Sequence, residues 1–133
     1  MPGIRLTLPI VPDPEFARRL AQAVTEVVCS ELRKQPERTM VMIAHVPDHA
    51  WFVAGRSLRE LDRTSFRLEV TITDETCTKA QKAAFAEAAF AALSELLGGA
   101  HPLSNVHVVD CRAAAYSYGG VTQEQHAFVA TRT

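Results

Sequence analysis

Proline at position 2 is the residue with the most chemistry to offer. Methionine is normally removed ahead of a small second residue such as proline. Its removal would leave a secondary amine at the start of the chain. An unperturbed α-amino group titrates near ~7.7–8.0. Burial in an apolar pocket disfavours its charged form, and nearby cations lower its pKa further. A base poised near the operating pH is what proton transfer at carbon requires. With Met1 retained, Pro2 is an amide and has no basic nitrogen. Other candidates carry less. His45 and His49 have the spacing of two metal ligands on a helix, but they straddle a strand end and a Pro47 turn. No third ligand accompanies them, so no metal is expected. The 3 cysteines, Cys29, Cys77 and Cys111, are odd in number and far apart, which argues against a disulfide framework or a cysteine zinc site. Each reads as a small buried hydrophobe, although Cys77 lies in a polar stretch. Gly119 and Gly120 lack the lysine and the capped helix of a phosphate loop.

The elements that must position Pro2 are built twice. Features recur about 65 residues apart, the mark of an internal repeat. An extended run from Gly3 to Ile10 is echoed by Leu68 to Thr73, where Leu68, Val70 and Ile72 share one face. A helix follows each run. Asp13-Pro14-Glu15 has an N-cap, a first-position proline and an early acid. Phe16, Leu20, Val24, Val28 and Leu32 then make one stripe. The second helix begins near Thr78-Lys79, carries Phe85, Leu93 and Leu97 at offsets matching Leu20, Val28 and Leu32, and stops at Gly98-Gly99. A further strand follows each helix, Thr39 to Val46 and Ser104 to Cys111. Aromatic–glycine elements come next, Trp51 to Gly55 and Tyr116 to Gly120.

The chain therefore reads β-α-β twice, with each helix crossing between parallel strands. The expected fold class is α+β, a two-layer arrangement in one domain over residues 1–133. Pseudo-repeats 2–56 and 67–121 would form a four-stranded mixed sheet with two helices on one face. The first strand carries apolar residues at both parities, Ile4, Leu6, Leu8 and Ile10 against Pro9, and the strand after each helix reads as apolar on both faces, so other subunits are expected to cover the open side. Residues 56–65 link the halves, and Ala127-Phe128-Val129-Ala130 reads as an edge strand.

Composition narrows the function classes. Apolar residues are 47% and charged residues 22% of 133, and 14 Lys plus Arg against 15 Asp plus Glu give a net charge of −1. Such a chain can bury a core, carries no basic nucleic-acid footprint, and has no apolar run long enough to span a bilayer. Met1 to Arg5 lacks the build of a secretory signal. A cytoplasmic setting is expected.

Met-Pro leading straight into a strand, the two β-α-β units and the aromatic-x-x-Gly-Gly element resemble the tautomerase superfamily over roughly residues 2–121. This superfamily includes 4-oxalocrotonate tautomerase, macrophage migration inhibitory factor, cis-3-chloroacrylic acid dehalogenase and malonate semialdehyde decarboxylase. Ala44-His45-Val46-Pro47-Asp48 is similar to the matching stretch of migration inhibitory factor. The doubled length resembles fused members, which implies a homotrimer. The resemblance implies Pro2 as general base, with Arg67 as its counterpart in the second half. It implies Trp51 and Tyr116 as pocket walls. The family's carboxylate-binding arginines are missing, since Cys77 stands on the loop before the second helix and Met42 and His107 stand on the later strands. Lys34 and His107 are the candidate replacements, with Arg67, Arg56 and Arg112 behind them, and the Tyr118 hydroxyl is a candidate donor to an enolate oxygen.

The expected function is a cofactor-independent tautomerase or isomerase. It would move a proton on a small 2-keto or enol acid, with no nucleic acid or membrane partner. The alternatives are dehalogenation or decarboxylation of a three-carbon acid, which the missing arginines weaken, and a non-catalytic trimeric binding module.

Overall fold

The computed structural model describes residues 2–132, with side chains as far as Val129. Strand β1 (Gly3–Leu8) leads into helix α1 (Pro14–Leu32), strand β2 (Met40–His45) and a short hairpin of β3 (Phe52–Val53) and β4 (Arg56–Ser57). The one-turn helix α2 (Leu58–Leu61) then precedes β5 (Arg67–Thr73), α3 (Lys79–Leu96) and β6 (Asn105–Cys111). A second hairpin, β7 (Ser117–Tyr118) and β8 (Val121–Thr122), leads to helix α4 (Gln123–Arg132).

Local chemistry sets the helix ends. The Asp13 carboxylate accepts from the Phe16 N–H at 2.8 Å, with Pro14 in the first turn. Thr78 and Gln81 make a reciprocal capping box at 3.0 and 2.7 Å. Gly98 and Gly99 end α3 at φ 78° and 103°, angles that favour residues without a Cβ.

The sheet order is β2-β1-β5-β6. β1 runs parallel to β2 and β5 parallel to β6, whereas β1 and β5 are antiparallel. Gly3 faces Thr71 and Thr7 faces Arg67. A half-turn through the middle of this pair therefore exchanges the two β-α-β units. Both long helices lie on one face. Ile4, Leu6 and Leu8 of β1 and Leu68, Val70 and Ile72 of β5 are buried there with Leu20, Val24 and Val28 of α1 and Phe85 and Leu93 of α3. Burying each such side chain contributes about 1.5–3 kcal/mol. Among the described residues, no helix is long and apolar enough to cross a membrane.

Two expectations are corrected. The first strand is not apolar on both faces. Its open side carries Arg5 and Thr7, while β5 alternates as its sequence reads, with Arg67, Glu69 and Thr71 on the open side and every apolar residue towards the helices. Only the outer strands turn apolar side chains outward, with Met40, Met42 and Val109 each about half exposed. Residues 127–130 lie in α4 and not in an edge strand. Thr122 accepts from the Gln125 N–H at 3.1 Å, and this cap with the Gln-Glu-Gln run starts a helix that outweighs the β propensity of Phe128-Val129. The link between halves holds the one-turn helix α2. Ser57 and Glu60 form a capping box, and Leu58 is buried.

Leu6 and Leu68 face each other across the central pair, both fully buried. Leu68→Ala should lower unfolding stability by about 2–5 kcal/mol. An unchanged denaturant midpoint would show that the central pair does not carry the core.

Candidate functional site

The start of β1 gathers the residues of one site. Pro2 is buried, and its carbonyl accepts from the Met40 N–H at 3.2 Å. The Tyr116 hydroxyl sits over the next residue, since a Cβ placed on Gly3 would lie 3.2 Å from its oxygen. Tyr116 follows a 3-10 turn, Ala113–Ala115, and its carbonyl accepts from the Gln123 N–H at 2.6 Å. Burial pushes the Tyr116 phenol above its ordinary value, and the Cys111 thiol nearby adds to the shift. The Gly3 backbone N–H donates towards the phenol oxygen and opposes it. A phenol whose oxygen accepts from an N–H keeps its own proton for another acceptor.

Beside Met40 lies a cavity of about 480 Å³ lined by Glu37, Arg38, Thr39, Met40 and Tyr118. Tyr118 is held by a stack on His126 (ring centroids 4.0 Å apart, planes 9° apart) and by a contact of 3.3 Å from the His126 Nε2 to the Tyr118 carbonyl oxygen. Arg38 ends a 3-10 turn, Pro36–Arg38, just ahead of β2. Sequence reasoning missed it because Arg38 lies in a turn outside the strands and pre-helix loops that the repeat brings into register. The available signal was its place only two residues before Met40, the strand neighbour of Gly3.

The other candidates divide by place. Because β5 runs against β1, its Thr73 end lies at the Pro2 end of the sheet. Lys34 donates to the Thr76 hydroxyl there at 2.9 Å, and the Cys77 thiol reaches the Leu32 carbonyl at 3.4 Å. Lys34 thus ties the arginine-free loop 74–78 to the end of α1. Trp51 and Arg67 line a different cavity, of about 450 Å³, together with Arg5, Thr7, Glu69 and Asn105. It opens near Thr7, four residues along β1 from Gly3 and so roughly 13 Å away. His107 is exposed on the open sheet face, its Nε2 lying 3.1 Å from Asn105 Oδ1. A polar residue at that mid-strand position needs no buried partner, because in this chain the ring meets solvent.

The half-turn explains the division. Each unit extends its aromatic to the first strand of the other unit, so Tyr116 meets Gly3 beside Pro2 while Trp51 meets Arg67.

Residues 2–61 match the family of tautomerase enzymes. The whole chain has the fused tautomerase fold. A fused 4-OT solved as an asymmetric trimer superposes with TM-score 0.82 at 15% identity, covering 94% of this chain and 98% of that one. Pt0534 inactivated by 2-oxo-3-pentynoate superposes with TM-score 0.80 at 17% identity, covering 92% and 97%. The macrophage migration inhibitory factor of Toxoplasma gondii gives 0.74 at 15% identity, covering 90% and 98%. No curated protein matches the chain.

The raised Tyr116 value carries a pH consequence. An unfolded tyrosine loses its proton near ~10, whereas folded Tyr116 still holds its own there. The stability this represents is complete below about pH 10 and is lost as pH rises through the folded value. Phenolate absorbance titration should show a component above about pH 10 that Tyr116→Phe removes. Survival of that component in the variant would contradict the assigned burial.

Proposed function

We propose that the chain, once Met1 is removed, is a cofactor-independent tautomerase acting on a small 2-keto or enol acid. The observation that carries this reading is the buried Pro2 at the start of β1, with the Tyr116 hydroxyl over Gly3 and the Arg38 cavity alongside. The Pro2 nitrogen takes a proton from the carbon next to the ketone. The electron pair left behind moves into the carbonyl, giving an enolate. Tyr116, protonated at neutral pH, donates to the developing oxyanion, a contact worth most where water is excluded. The proton then returns to carbon or oxygen at the other end of the conjugated system. The Arg38 guanidinium supplies the carboxylate clamp, a planar fork that matches a planar anion. Tyr118 walls the cavity, and Lys34 orders the loop behind it.

A homotrimer is part of the proposal. Fused 4-OT relatives are solved as asymmetric and symmetric trimers. Here the outer edges of β2 and β6 have no partner strand within the described chain, and Met40, Met42 and Val109 offer apolar surface beside them. Edges of this kind favour pairing with further strands.

Four measurements test the reading. N-terminal mass analysis should find Pro2 as the first residue. Ketonisation of phenylenolpyruvate should fall by about 10²–10⁴ in Pro2→Ala, the usual contribution of a general base. Equal rates would remove Pro2 from the mechanism. Since 2-oxo-3-pentynoate inactivates a relative of the same fold, it should add one mass equivalent to this chain at Pro2 and none to Pro2→Ala. Arg38→Ala should lower kcat/KM by about 10–100-fold, the loss of roughly 1.5–3 kcal/mol from a charge-assisted hydrogen bond. An unchanged kcat/KM would place the clamp elsewhere.

A further inference from the structure

The cavity at the Arg67 end is the half-turn counterpart of the Pro2 site, yet its chemistry differs. Arg67 stands where Pro2 stands in the first unit, and a guanidinium stays protonated and cannot take a proton from carbon. What it can do is hold an anion. Arg5 and Arg67 project from the open face of neighbouring strands. Arg5 is opposite Glu69, and Arg67 is two residues further along β5. This diagonal separation is about 7–8 Å, within reach of long side chains.

The charges do not cancel. The Arg67 Nη2 lies 2.9 Å from Glu69 Oε1, so the one carboxylate lining the cavity is already paired. Arg5 has no hydrogen-bond or ion-pair partner among the described residues. Two guanidiniums against one carboxylate leave a single positive charge, which one monoanion would neutralise. Trp51 gives the cavity a flat apolar wall. The volume, about 450 Å³, is in the range that holds a ring-sized molecule.

We propose that Arg5, Arg67 and Trp51 form a second binding site that takes a monocarboxylate with a planar, apolar body and holds it without turnover. The Arg5 guanidinium grips the carboxylate, Arg67 is kept extended by Glu69 so that it faces the same group, and the ring of the ligand lies along Trp51. This site does not depend on Pro2 being a base.

The chain carries 1 tryptophan, so its emission reports this cavity alone. Benzoate is the probe, added to the assembled full-length protein with tryptophan fluorescence followed. The emission change should saturate, and benzyl alcohol, with the same ring and no charge, should give no saturable change. Arg5→Gln and Arg67→Gln should each weaken benzoate binding by about tenfold or more, equivalent to roughly 1.4 kcal/mol. Pro2→Ala should leave it unchanged, which separates this result from the fate of the Pro2 assignment. Arg5→Gln leaves the Arg67–Glu69 pair intact, so it remains informative should Arg67→Gln disturb the fold. A response that never saturates, or one that saturates in both arginine variants at the same benzoate concentration as in the unmutated protein, overturns the proposal.

Discussion

The antiparallel seam between β1 and β5 is the constraint on which the molecule depends. It is where the two β-α-β units meet, and it buries Ile4, Leu6 and Leu8 beside Leu68, Val70 and Ile72 under one pair of helices. The register is strongly specified, because sliding one strand by a single residue would turn Arg5 or Glu69 into the core and an apolar neighbour out of it. Fixing this register also fixes which residues of one unit lie beside the ends of the other.

Everything said about function follows from that half-turn. Each unit's aromatic lands on the first strand of the other unit, so two cavities of comparable size arise at opposite ends of the seam. The scaffold is symmetric while the residues are not. One end has a buried proline, a phenol whose burial keeps it protonated, and a guanidinium. The other has two guanidiniums, one carboxylate and an indole. A duplicated backbone therefore supports a reading of proton transfer at one end and of anion binding at the other.

Polar groups between these ends act mainly as positioning elements. Lys34, Thr76 and Cys77 join the loop before α3 to the end of α1. The His126 ring fixes Tyr118, which gives the C-terminal helix α4 a structural task next to the cavity. The open face is divided as well, polar along the two central strands and mixed on the outer ones, where Met40, Met42 and Val109 stand with Asn105 and His107. Any covering surface must match both.

The repeat, the element order and the helix caps were legible in the amino-acid sequence. Periodicity and capping are local properties, readable from Asp13, Thr78 and the stripes that include Leu20 and Phe85. Pro2 stood out for the same reason, since its chemistry depends on its residue type and its place behind Met1. The strand reading of residues 127–130 failed because apolar composition alone does not separate a short strand from a helix, and the Thr122 cap decided the matter. Arg38 was not among the candidates, and the cavity that Trp51 shares with Arg67 was not foreseen. Both depend on which strand end meets which turn across the seam. Sequence determined what each unit is. Only the tertiary structure decided which residues face one another, because those contacts are set by the pairing of strands more than 60 residues apart.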